Sequence, residues 1–243
     1  MKKITILTMA LIWSVLSFAQ STKPVVLISG KAVNERNMQP VDVDVRVIYQ
    51  ELPSGAEAGI IRINPANGAY KIILPKGKKY TYKAIAPGYY SVTKYLDVTA
   101  LKAYTEIDEQ NLFLAPLMLD QVVRINNVFF KQKTAELLPE SNIELQSFVE
   151  FLKANKKVKI LLKFHTDNKG EAADNMKLTE DRLEVIKTFL KKNKIKDARI
   201  EYKAYGDKWP AAFNTTEEGR ALNNRMEFVV LSLDYKKSKK SKK

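Results

Sequence analysis

The 243-residue chain contains no cysteine and one histidine, His165. Without thiols it makes no disulfide and carries no lipid on an N-terminal cysteine. With one imidazole and no thiolate it cannot supply the usual zinc sets, so no metal site and no cofactor are expected. No serine sits in a recognisable nucleophile turn, so the closeness of His165 and Asp167 in sequence does not make a Ser-His-Asp hydrolase, and the chain is read as a non-enzyme. His165 is expected to be a hydrogen-bonded residue that shapes a strand end. No apolar run approaches the roughly 20 residues of a membrane-spanning helix. Internal repeats are absent, and low complexity is confined to the lysine-rich end.

What is present begins with a leader. Lys2 and Lys3, an apolar run from Ile4 to Leu16, and Ser17-Phe18-Ala19 as a small-x-small site read as a cleavable signal peptide over residues 1–19. About 220 residues follow, enough for two domains that each bury a core. The formal charge is +14; two of those lysines lie in the leader and six in the last eight residues, which leaves +6 for the rest. The lysine-rich tail, residues 236–243, is read as a solvated segment able to contact anionic surfaces. Export argues against nucleic acid as a partner.

Residues 24–98 read as an all-β sandwich. Val41, Val43, Val45 and Val47 alternate with Asp42, Asp44 and Arg46, the pattern of a strand with one buried and one wet face. The runs GIIRI, AYKIIL, KYTYKAIA and YYSVTKYL follow, separated by turn signals at Pro65–Gly68, Pro75–Gly77 and Pro87-Gly88. Residues 99–120 read as a linker, acidic around Glu106, Asp108 and Glu109, followed by a strand in NLFLAPLML that finishes one of the two sheets. From residue 121 to 235 strands and helices alternate, which predicts a two-layer α/β sandwich. Its elements are a helix over Pro139–Asn155, strand KVKILLKFH, a helix ending near Lys194, strand ARIEYKAY, a short helix at Glu217–Leu222 and strand MEFVVLSL. Phe129 and Phe130 are expected to pack under the sheet, and Trp209 and Phe213 to lie in a loop.

The chemistry concentrates in FHTDNKGEAADNMKLTEDR, residues 164–182. Asp167 stands where a strand hands over to a helix, and Arg182 follows fifteen residues later on that helix. Taken singly, Asp167 reads as a helix cap and Arg182 as a surface charge. Taken together, a carboxylate and a guanidinium turned toward one pocket suit a ligand that carries its own ammonium and carboxylate, such as an amino acid head group. Thr166, Asn175 and Leu178 are candidate pocket lining, with His165 and Arg225 beside them, although Arg225 is weighted toward a structural role.

This part of the chain resembles the OmpA-like C-terminal domain family, which anchors envelope proteins to peptidoglycan. The resemblance rests on INNVFFKQKTAELLPES, His165-Thr166-Asp167, Gly170, Asn175, Leu178, Arg182, Tyr205-Gly206, Pro210, Asn214, and Gly219 to Arg225. It implies that Asp167 and Arg182 hold the diaminopimelate of a stem peptide, in a protein of the Gram-negative periplasm associated with the wall or outer membrane. Phe164 stands where the family usually has glycine, and Asn224 where it has the first of two arginines. Those departures motivate an alternative: an adaptor whose wall pocket is degenerate and whose sandwich binds an outer-membrane protein complex. The segments SGKAVNERNMQPVDVDVRV and NPANGAYKIILPKGKKYTYKAIAPGYYS resemble the carboxypeptidase regulatory-like domain, a transthyretin-like sandwich, which implies a fold and no reaction.

Overall fold

The structure, a computed structural model, describes residues 25–234. The signal peptide and the lysine tail read from the sequence lie outside the described residues. No helix among the described residues is long and apolar enough to cross a membrane.

The N-terminal half is built of nine strands: β1 (Val25–Asn34), β2 (Arg46–Leu52), β3 (Ala56–Arg62), β4 (Ala69–Pro75), β5 (Lys79–Ile85), β6 (Tyr89–Tyr90), β7 (Lys94–Asp97), β8 (Thr105–Ile107) and β9 (Leu112–Pro116). They form two sheets, one ordered β4-β1-β9-β6 with β8 also on β1, the other β3-β2-β5-β7. Period-two alternation sets the faces: β4 buries Tyr70, Ile72 and Leu74 while Lys71 and Ile73 point out. These side chains join Val26, Ile28, Val47, Tyr80, Tyr82, Leu112 and Leu114 in one core. The buried tyrosines keep their hydroxyls satisfied, Tyr80 donating to the Pro75 carbonyl at 2.9 Å and Tyr82 to Gln110 Oε1 at 2.8 Å.

Three sequence expectations change here. Residues 41–45 are not a strand; β2 starts at Arg46. Val41 and Val45 are buried by a loop that dips twice into the core, so the alternation reported burial without backbone pairing. YYSVTKYL is split, because β6 pairs with β9 in one sheet and β7 with β5 in the other, and the chain crosses between sheets at Ser91–Thr93. The stretch read as a linker contributes an additional strand, β8, while the expected strand in NLFLAP is β9; both run parallel to β1, so the sheet it finishes is the N-terminal one.

The C-terminal half runs β10 (Val122–Ile125), α1 (Ser141–Ala154), β11 (Lys159–His165), α2 (Ala172–Lys192), a 3-10 turn at Asp197–Arg199, β12 (Ile200–Ala204), α3 (Glu217–Asn223) and β13 (Arg225–Ser232). The sheet order is β10-β13-β11-β12, with β11 and β12 parallel and β13 antiparallel to its neighbours. Both long helices bury an apolar stripe against it, Leu145, Phe148, Val149 and Leu152 from α1 and Leu183, Ile186 and Leu190 from α2. Facing them are Ile160, Leu162, Phe164, Met226, Phe228 and Val230. α1 starts two residues past Pro139, and the hydroxyl of its first residue, Ser141, is engaged with the backbone of Phe129, accepting from its N–H at 2.7 Å and donating to its carbonyl at 2.9 Å.

The halves meet along a polar seam. Strand β5 is buried on both faces: Tyr80, Tyr82 and Ala84 enter the sandwich core, and Thr81, Lys83 and Ile85 on the opposite face are buried as well. Across the seam the Lys83 ammonium lies 3.4 Å from Glu144 Oε1, and Thr93 donates to Glu144 Oε2 at 2.7 Å. Asn155 accepts from the Gly88 N–H at 2.6 Å. Tyr90 and Leu117, which precede residue 121, belong to the C-terminal core, Tyr90 edge-on to Phe151 and Phe228.

Candidate functional site

Strand β11 ends at His165, and its C-terminal end opens into a cleft of about 700 Å³. Clefts at this end of strands that alternate with helices are where α/β sheets gather ligand loops. Its walls come from the loop after β10, from α2 and from α3. The loop at the strand end is fixed from behind: the Thr166 N–H donates to the Gly206 carbonyl at 2.9 Å, and the Gly206 N–H to Thr179 Oγ1 at 3.2 Å. Gly206 sits at φ 56° with the backbone of Met176 so close that an added Cβ would lie 3.1 Å from its nitrogen. Glycine suits both the backbone conformation and the close approach, which a larger residue would meet only by pushing the Met176 backbone back. Gly170, at φ 103°, turns the chain into α2.

Asp167 lines the cleft and is half-buried. Its Oδ1 accepts from the Lys169 N–H at 2.8 Å and its Oδ2 from Asn224 Nδ2 at 2.6 Å. Asn224, the position where a cation was expected to be lost, therefore anchors the acid. Arg182 lines the same cleft and is 6% exposed. Its Nε donates to the Thr134 carbonyl at 3.0 Å, and its guanidinium lies 4.9 Å from the centre of the Phe130 ring. No other hydrogen bond and no ion pair within 4 Å engages it among the described residues, and its terminal nitrogens keep solvent contact. Burial pushes its pKa down to about 10, partly offset by the Asp167 charge.

Thr166, Asn175, Leu178 and Arg225 also line the cleft. The Thr166 hydroxyl is buried without a partner. Asn175 is 4% exposed and reaches Asp207 at 3.4 Å. Arg225 holds the site together, donating to Glu227 at 2.6 Å, to the Trp209 carbonyl at 3.0 Å and to the Asn223 carbonyl at 3.4 Å. His165 is not part of the lining. Strand alternation turns it away from Phe164, onto the outer face with Lys163 and Glu227, and its ring stacks on Tyr205 at 4.9 Å. Neither ring nitrogen has a hydrogen-bond partner, so it is not the hydrogen-bonded residue expected. Burial, with the nearby Arg225 and Lys163, pushes its pKa down to about 4 against the pull of Glu227.

Several contributors escaped the sequence reading. Arg124 on β10 lines the cleft, its pKa lowered first by burial and then by Arg225. Its signal was a lone cation between the apolar residues Val123 and Ile125. Phe130 packs against the core, edge-on to Phe164, as expected, and its ring also serves as a plate under Arg182; Phe129 is 48% exposed rather than packed under the sheet. Asn223 pins the 211–214 loop through the N–H groups of Ala211 and Ala212 and the carbonyl of Ala212. The lining carries six cations, Arg124, Lys133, Lys169, Arg182, Arg220 and Arg225, against two acids, Asp167 and Glu217. That balance favours a ligand rich in carboxylates. Among the described residues no cluster of three His, Cys, Asp or Glu is arranged to hold a metal ion.

Residues 129–224 match the OmpA family. The chain is 33% identical over 111 residues to outer membrane porin F of Pseudomonas fluorescens, covering 45% of this chain and 34% of that protein. It is 30% identical over 103 residues to a peptidoglycan-associated lipoprotein of Pseudomonas putida, covering 42% and 61%. Among solved structures, the peptidoglycan-associated lipoprotein from Burkholderia pseudomallei aligns with a TM-score of 0.40 at 26% identity, over 42% of this chain and 87% of that one. The chain thus spans between about a third and three fifths of the length of these curated relatives. The matched span holds Asp167, Arg182 and Asn224 and leaves out Arg124 and Arg225, and over it, residues 129–224, the chain carries an OmpA-like domain.

Proposed function

We propose that the protein binds peptidoglycan noncovalently, through the diaminopimelate of its stem peptides, and so tethers an envelope protein or complex to the cell wall. The observation that carries this reading is Arg182: a buried guanidinium with its terminal nitrogens uncommitted, on the wall of a cationic cleft beside Asp167. A ligand carboxylate takes the guanidinium fork, and the ligand ammonium takes the lone pairs of Asp167 left free by Lys169 and Asn224. The reaction class is recognition without turnover. With the leader read from the sequence, the place of action is the periplasm, at the wall or outer membrane. The N-terminal half, extended by β8 and β9 beyond the 24–98 span, is read as the carboxypeptidase regulatory-like module and as the surface for an outer-membrane partner. The lysine tail is read as a contact for anionic surfaces.

Cosedimentation of the full chain with purified diaminopimelate-type sacculi tests the reading. Wild type is expected in the pellet, and folded Asp167→Ala and Arg182→Ala in the supernatant. Equal pelleting of all three would sink it. The second reading, an adaptor with a degenerate pocket, draws on Asn224, which already occupies one oxygen of Asp167. It predicts that neither substitution alters retention and that removing residues 236–243 does.

A further inference from the structure

A second, smaller groove of about 460 Å³ lies on the seam between the halves. Leu52, Pro53 and Tyr95 come from the sandwich, Phe129, Pro139 and Ile143 from the loop and helix opposite. The walls are held in place: an added Cβ on Gly55, in the β2–β3 turn, would lie 3.0 Å from the Ile143 side chain. Asn127 and Phe129 line both this groove and the cationic cleft, so the two lie side by side and share a wall.

We propose that this groove takes the N-acetylated glycan to which a cleft-bound stem peptide is attached, which makes the N-terminal half part of the binding site. The inference rests on the peptide-binding reading of the cleft. Charge divides the ligand between the two places. The cleft has six cations for a carboxylate-rich peptide. The groove has only Lys79, already paired with Asp97 at 3.0 Å, and Glu140. A neutral sugar matches that balance and a further acidic segment does not. Tyr95 is 51% exposed and Phe129 is 48% exposed, two aromatic faces left uncovered next to prolines. The C–H face of a pyranose and the methyl of an acetamide lie flat on such surfaces, while Asn127 and Glu140 are placed for hydroxyl and amide groups.

Isothermal titration of the full chain with two probes tests this: a diaminopimelate stem tetrapeptide, and the same peptide carried on its N-acetylglucosaminyl-N-acetylmuramyl disaccharide. Wild type is expected to bind the disaccharide form roughly three- to tenfold more tightly. Tyr95→Ala, on an exposed edge strand, removes that advantage and leaves the free peptide unchanged; Tyr95→Phe keeps it. Equal affinities in wild type, an advantage that survives Tyr95→Ala, or equal weakening of both probes by Tyr95→Ala would overturn the glycan groove alone. Failure of wild type to bind the free peptide, or indifference to Asp167→Ala, overturns the cleft reading and the groove with it.

Discussion

The seam and the cleft each bury a cation, and the two are treated oppositely. Lys83, 2% exposed, has Glu144 at 3.4 Å, and its ammonium lies 4.7 Å over the Tyr90 ring; Thr93 occupies the other oxygen of Glu144. Burial lowers the Lys83 pKa, and Glu144 pulls it back. Arg182, 6% exposed, has one backbone carbonyl, an aromatic plate and a carboxylate that stops short of an ion pair. Desolvating a charge is costly unless it is paired, so a buried cation with a carboxylate against it fixes two surfaces together. One left short of partners is stabilised only when a ligand arrives. Burial alone does not separate structural charges from functional ones; an ion-paired carboxylate does.

The comparison is most exposed at Glu144. Glu144→Ala strands Lys83 and is expected to destabilise the fold by about 3–5 kcal/mol, read by denaturant unfolding. The double variant Lys83→Met, Glu144→Leu should recover most of that loss; no recovery would mean the pair is not the seam's main polar contact. At the cleft the pattern reverses. Arg182→Ala is expected to weaken binding of a diaminopimelate peptide by about 2–5 kcal/mol. Its unfolding midpoint should be unchanged or higher, and a large stability loss would place Arg182 with Lys83 as a structural charge. A smaller effect is expected from Asn224→Ala, which releases one oxygen of Asp167 and should cost about 0.5–1.5 kcal/mol of binding with no change in melting temperature. An increase in affinity would mean that Asn224 competes with the ligand instead of orienting the acid.

The weakest test concerns His165, whose pKa sits at about 4 against an ordinary value of 6.5. The fold holds it neutral, so above pH 6.5 it adds no pH dependence. As pH falls from 6.5 toward 4 the unfolded chain takes the proton first, and stability declines. Glu227, which burial pushes up but the Arg225 hydrogen bond and charge hold below the usual carboxylate range, loses its contribution only at lower pH, below about 4.5. Melting temperature between pH 7 and 4.5 should therefore fall less in His165→Phe than in wild type. Identical slopes would remove His165 as the cause.

Much of the C-terminal half was legible because its helices are amphipathic and long. Leu145, Phe148, Val149 and Leu152 marked the buried face of α1, and the charged pair of Asp167 and Arg182 was readable from its place at a strand end and on the helix after it. The N-terminal half was legible as short strands but not as pairings. Val41 and Val45 signalled burial, which a loop supplied as well as a strand would have. Phe129 and Phe130 both looked like core because both are large and apolar; Phe130 does pack against it while also facing a guanidinium, but Phe129 faces the seam groove. His165 could not be assigned a face until the partner strands of β11 fixed which side carries the helices.

Local sequence by itself determined the long helices and most of the strands, the sparse turn residues that separate them, the absence of thiol and imidazole ligand sets, and the placing of an acid before α2 and a guanidinium on it. Those properties follow from periodicity, backbone freedom and side-chain chemistry within a few residues. Tertiary structure alone decided that β8 and β9 close the N-terminal sheet, that Lys83 finds Glu144 across the seam, and that Asn224 meets Asp167 from 57 residues away. Each of these depends on desolvation and hydrogen bonding between groups distant in the chain, and no local pattern encodes which partner will be brought near.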